Sequence, residues 1–169
     1  GQIFSLDFRR LNARLRTSLC LRKNAKQGRP LHDAQAYWKH AGRAYDTLPE
    51  QYDIAIAWGQ GTPTHFVAEK VRAGKKFAWI NADYKNMGYQ QQFDFSYYGK
   101  FEKIVCVSDR LRTALLQVYP EYAAKLTTIY DIRNPEAITK MAQQPCKLPD
   151  SHGITIITAG RLSPEKGYD

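Results

Sequence analysis

The chain has 169 residues, which suits one full core and falls short of two by the soft prior of about 100 to 200 residues per domain. Its 43% hydrophobic and 12% aromatic content, with no apolar run near the ~18 residues of a spanning helix, excludes a disordered chain and a transmembrane segment. The net charge of +9 is uneven: residues 1–43 hold ten Lys or Arg against Asp7 and Asp33, whereas the rest of the chain holds fifteen against fourteen.

Residues 4–19 predict a helix on which Phe4, Phe8, Leu11, Leu15 and Leu19 fall within an arc of roughly 80° at helical spacing. Arg9, Arg10, Arg14 and Arg16 flank that stripe. A basic amphipathic helix of this kind serves either of two purposes: it lies on an anionic bilayer, or it packs on its own domain with a solvated basic face. Gln27, Gly28, Arg29 and Pro30 then break the pattern, and a second helix is predicted over residues 33–47, with Ala34, Trp38, Ala41 and Tyr45 on its buried side.

From residue 52 one unit repeats. Strands are predicted at 52–58 (YDIAIAW), 75–80 (KKFAWI), 103–107 (KIVCV) and 126–130. Between them stand a helix over 63–73 capped by Thr62, an aromatic-rich helical stretch within 81–100, and a helix capped by Ser108 that runs to about residue 118. A helix over 135–143 and a breaker-rich linker, 144–152 (QPCKLPDSH), follow. The alternation predicts an α/β fold: a Rossmann-like parallel sheet with helices on both faces. The three cysteines, Cys20, Cys106 and Cys146, form no C-x-x-C pair and fit a reducing compartment.

The run 154–158 (ITIIT) reads as a short strand buried on both faces, followed by GRLSPEKGYD. In that turn Ser163 is placed to cap a helix with Pro164 at its first position, and Arg161 and Lys166 stand on either side of the opening turn. Free N–H groups and a positive dipole end favour anions there, so the two cations point to a diphosphate.

This pattern after a strand resembles the opening of the second domain in retaining glycosyltransferases of family 4, or group 1, which have two Rossmann-like domains in the GT-B arrangement. The resemblance covers residues 52–169 well and 1–51 weakly. It implies that Arg161 and Lys166 grip the diphosphate of a nucleotide-sugar donor. It also implies a division into a partial acceptor-side domain (1–143), a linker (144–152) and the first strand and turn of a donor domain (153–169). Family members start with a strand and a glycine-rich loop and later carry an acidic E-x7-E motif; neither is present, so the chain is expected to be a fragment that is inactive alone.

Further candidates sit where the predicted strands end. In WGQGTPT, Gly59 and Gly61 form a G-x-G turn, but Thr64 stands where the dinucleotide fingerprint needs its third glycine, and no acid lies about 20 residues on. Tight passage of the backbone at the carboxyl edge of the sheet, where open α/β sheets place ligands, is the reading preferred for Gly59 and Gly61. In WINADY, related enzymes often have histidine where this chain has Asn81. An amide hydrogen-bonds a hydroxyl but carries no proton near neutral pH, which leaves Asp83 as the candidate base or else a loop cap. Ser108 is first an N-cap, and Tyr84, with Tyr89, Phe93, Phe95, Tyr97, Tyr98 and Phe101, either stacks sugars or packs the core. His65 is expected to be packed or solvated.

The function so implied is transfer of a sugar, with retention, from a nucleotide diphosphate donor to a saccharide or lipid-linked acceptor in surface polysaccharide synthesis. It needs no cofactor and no metal, and no Cys/His ligand set is present. The expected location is cytoplasmic, peripheral on the inner face of the membrane through residues 4–29, with no nucleic acid as partner. Two alternatives stay open: a basic membrane- or nucleic-acid-binding module without transferase activity, and an NAD(P)-dependent oxidoreductase.

Overall fold

A computed structural model describes residues 8–28, 30–145, 153–162 and 167. It divides into two compact units, Gly1–Asp131 and Ile132–Asp169.

The first unit is α/β. Strands β1 (Gln51–Ala57), β2 (Arg72–Ile80), β3 (Lys103–Cys106) and β4 (Leu126–Thr128) form one all-parallel sheet in the order β1-β2-β3-β4. Helices α1 (Phe8–Lys26) and α2 (Asp33–Ala41) precede it, and α3 (Thr62–Lys70), α4 (Gln91–Tyr98) and α5 (Asp109–Val118) connect its strands. The Rossmann-like class read from the alternation is therefore the class observed.

Strand register explains the core. Ala57, Ala78, Ile104 and Leu126 are linked through successive pairings, as are Ile80, Cys106 and Thr128. Residues paired in register share a face, and this face meets α3 and α5. All of these but Thr128 are buried, joined by Val67, Leu115, Tyr84, Tyr98, Phe101 and Tyr119. The alternate residues of β1, Ile54 and Ile56, are exposed, as are Trp58 and Ile129 beyond the strand ends.

Several boundaries differ from the sequence reading. The helix expected at 63–73 ends at Lys70, because Val71 is already extended and β2 begins at Arg72, three residues earlier than its apolar run suggested. Its N-cap is Gly61 rather than Thr62. Helix α1, in contrast, continues past Leu19 to Lys26, since 20–26 lack a helix breaker until Gly28.

Helix α2 is tied to the rest by side-chain amides. The buried Gln35 accepts from Gln90 N at 3.0 Å and donates through Nε2 to Gln90 O at 3.0 Å, so one glutamine completes the backbone pairing that precedes α4. It also accepts from His32 N, while His32 Nδ1 accepts from Ala34 N, a reciprocal N-terminal cap.

In the second unit, α6 (Pro135–Ala142) starts with Pro135 and an Asn134 side chain that accepts from Ala137 N at 2.9 Å. No strand is observed over 154–158, and Ile154 and Ile156 are 96% and 88% exposed rather than buried. A β-strand is stable only with a ladder partner, and among the described residues of this unit no other strand supplies one.

Candidate functional site

Parallel strands end on the same edge, and three neighbouring ends carry the candidate residues. Trp58 and Gly59 follow β1, Asn81 follows β2, and Val107 and Ser108 follow β3. Backbone pairing continues past the strands, with Val107 N donating to Ile80 O and Ile129 N to Cys106 O.

The β1 and β2 ends are stitched together by two amide side chains. Asn81 Nδ2 donates to Trp58 O at 3.0 Å. Gln60 Oε1 accepts from both Asn81 N and Ala82 N at 3.0 Å, and its Nε2 donates to Ala82 O at 2.8 Å. With Nδ2 engaged, Oδ1 is the atom the exposed Asn81 offers a ligand hydroxyl.

Gly61 has a physical reason to be glycine. Its φ of 76° with ψ of −125° is a conformation reserved for glycine, and a Cβ there would stand 2.7 Å from Ala34 Cβ and 2.9 Å from the Tyr89 hydroxyl. The turn is thus sealed by α2 and Tyr89. Gly59 is different: an added Cβ would meet only Asn81 Nδ2, at 3.8 Å. Thr64 closes the turn by donating from Oγ1 to Gly59 O at 2.9 Å.

Asp83 is half-buried and caps its loop, with Oδ1 accepting from Asn86 N at 3.0 Å. Ser108 caps α5, its Oγ accepting from Leu111 N at 3.2 Å. Tyr84 lies one residue beyond Asp83 but turns inward and is 2% exposed. Its hydroxyl donates to Asp94 Oδ2 at 2.7 Å and receives from Tyr119 at 2.8 Å. Burial first, and then the Asp94 charge, push this phenol far above its ordinary value, so it stays protonated.

That inward turn exposes a network the sequence reading missed. His65, fully buried at the start of α3, donates from Nε2 to Asp94 Oδ1 at 2.7 Å and packs against Tyr97, Phe93 and Trp38. Asp94 therefore joins α3, α4, the loop after β2 and Tyr119 at the end of α5. Nothing in a single sequence marks a His and an Asp 29 positions apart as a buried pair.

Two further features were also missed. Trp58, 65% exposed, stacks on Trp79 at 4.9 Å between ring centroids, an aromatic pair where β1 ends. Asp109, in the first turn of α5, accepts from Thr128 Oγ1 at 2.7 Å and from Tyr130 OH at 2.6 Å. Those bonds, that from Tyr130 first, hold its carboxyl below the usual range.

The expected diphosphate pair belongs to the second unit. Arg161 is exposed in the second unit, and Lys166, like Ser163, Pro164 and Glu165, lies outside the described residues. Among the described residues there is no group of three or more His, Cys, Asp or Glu placed to hold a metal. No described helix is long and apolar enough to cross a membrane.

No protein-family model matches the chain, and neither a curated protein nor a solved structure is significantly similar to it. The functional reading therefore stands on the residues themselves.

Proposed function

We propose that the chain is the acceptor-side half of a glycosyltransferase, joined to the opening turn of its donor-binding half, and that the whole protein transfers a sugar with retention from a nucleotide diphosphate donor. The observation that carries the reading is the gathering of Gly59, Asn81 and Ser108 at the ends of three adjacent parallel strands, the edge where open α/β sheets bind ligands. The sequence pattern GRLSPEKGYD supplies the second element.

In this account Asn81 Oδ1 accepts from an acceptor hydroxyl, and Asp83, two positions on, takes that proton through the oxygen not used in its loop. Asp83 and Asn81 are two positions apart on a loop fixed by Gln60, which favours their acting on one group. Arg161 and Lys166 stabilise charge building on the leaving diphosphate, the term that contributes most to such catalysis. Tyr84 has no part in contact with the acceptor; it holds the loop from below. The acceptor is a saccharide or a lipid-linked saccharide, and the reaction takes place on the cytoplasmic side of a membrane.

Gly61 weighs against a dinucleotide-binding turn. In that fingerprint the second glycine lets a pyrophosphate approach the backbone, whereas here Ala34 and Tyr89 occupy that approach.

The test is a transfer assay on the full-length protein with a panel of nucleotide-sugars, the anomeric configuration of the product being read by NMR. A product of retained configuration is expected, with turnover reduced about a hundredfold or more by Arg161→Ala or Lys166→Ala. An inverted product, or full turnover in both variants, would overturn the assignment.

A further inference from the structure

Helix α1 meets the rest of the first unit with its small and polar side, not its apolar one. Ala13, Thr17 and Asn24 are buried, Cys20 and Leu21 half-buried, and the main contact of the helix is with α2. Asn24 fixes the turn between them, its Nδ2 donating to Leu31 O and its Oδ1 accepting from Leu31 N. On the opposite side Phe8, Leu11, Leu15 and Leu19 are 74%, 45%, 58% and 65% exposed. The alternative in which this stripe packs on its own domain is therefore not what the fold adopts.

Every charged side chain of the helix is basic. Arg14, Arg16, Arg22, Lys23 and Lys26 are exposed, and 8–26 contains no acidic residue. At about 100° per residue, Arg22 and Lys26 fall on the line of the stripe itself, so its apolar first three turns give way to cations in the last two.

We propose that α1 is a docking helix for an anionic lipid bilayer: Phe8, Leu11, Leu15 and Leu19 enter the acyl boundary, and Arg16, Arg22, Lys23 and Lys26 bind lipid phosphates at headgroup level. Charge complementarity selects this occupant. A second copy would bring two acid-free basic helices together, with repulsion along the whole contact. A nucleic acid would meet the cations but leave three leucines against phosphate and water, with Phe8 the one exposed ring on the helix to stack on a base. A bilayer satisfies both halves of the surface, since apolar burial and attraction to anionic headgroups act together. The inference is independent of the transferase reading, because it uses only α1 and its packing.

The experiment is co-sedimentation of the chain with vesicles containing about one-third phosphatidylglycerol in phosphatidylcholine, against pure phosphatidylcholine vesicles. Binding to the anionic vesicles, weakened by salt, is expected, with little binding to the neutral ones. Combining Leu11→Gln, Leu15→Gln and Leu19→Gln should weaken it about tenfold or more, and combining Arg22→Gln, Lys23→Gln and Lys26→Gln should cost about fivefold per cation. All six positions are exposed, so an unchanged urea midpoint is expected as the control. Should a variant prove unstable, Phe8→Trp in the otherwise native chain reads insertion directly, as a blue shift of its emission on adding anionic vesicles. Absence of binding, binding by both triple variants undiminished from that of the native chain, tighter binding to an RNA or DNA oligonucleotide, a dimer that the leucine variant dissociates, or no blue shift would each overturn the proposal.

Discussion

Gly61 and Gly59 are two positions apart in the same turn, yet they answer to different constraints. At Gly61 a side chain would have to adopt a glycine-only backbone and displace Ala34 and the Tyr89 hydroxyl. Gly61→Ala should destabilise the first unit by about 2 kcal/mol or more, whereas Gly59→Ala should change it by less than about 0.5 kcal/mol; urea unfolding of both variants measures the difference. Asp83 allows a similar separation of roles. Asparagine keeps the Oδ1 that accepts from Asn86 N but cannot take a proton. If Asp83 is the base, Asp83→Asn should lower turnover of the full-length protein by about a hundredfold with the unfolding midpoint unchanged. A role confined to the loop predicts the reverse: normal turnover in Asp83→Asn and a stability loss in Asp83→Ala.

Among the elements, those with a strong local signal were legible. The strand runs YDIAIAW and KIVCV, the Ser108 cap and the Pro135 start of α6 stand where residue type and spacing put them, because each depends on its immediate neighbours. What was illegible depends on partners far along the chain. β2 begins at Arg72, before any apolar residue of its run, since pairing with Gln51 and Tyr52 extends it. Residues 154–158 read locally as a strand, yet Ile154 and Ile156 are exposed and no strand is observed there. In the candidate site Asn81, Asp83 and Ser108 were visible from their positions after apolar runs, but Gln60 as the clasp and Asp94 as the hub were not. The Asp94 network sets the relation of α3, α4 and α5, and its loss should be costly. Asp94→Ala leaves His65 and Tyr84 buried without their acceptor and is expected to cost about 3 to 5 kcal/mol, read as a lowered urea midpoint at unchanged slope.

For the whole molecule, the alkaline response runs through raised phenols and one raised thiol. Burial raises the hydroxyls of Tyr89 and Tyr97 to about 12 and lifts those of Tyr84, Tyr98 and Tyr119 as well; the Cys106 thiol rises to about 11. A raised folded value means that the folded state holds its protons more tightly than the unfolded one. The stability this contributes is complete below the unfolded values, 9.0 for the thiol and 10.0 for the phenols, and is lost as pH rises through the folded ones. The urea midpoint should therefore fall steeply from about pH 10 upward, and phenolate absorbance should appear together with unfolding rather than before it. The sheet, its ligand edge and the basic docking helix belong to the first unit, while the cations assigned to the diphosphate belong to the second. The proposal that these serve one enzyme is tested most directly by calorimetric titration of the full-length protein with nucleoside diphosphates, alongside NAD(P). At least one nucleoside diphosphate is expected to bind and NAD(P) is not, and Arg161→Ala with Lys166→Ala should weaken the diphosphate about a hundredfold, or roughly tenfold per lost charged contact. Binding of NAD(P) without any nucleoside diphosphate, or diphosphate binding untouched by the double substitution, would contradict it.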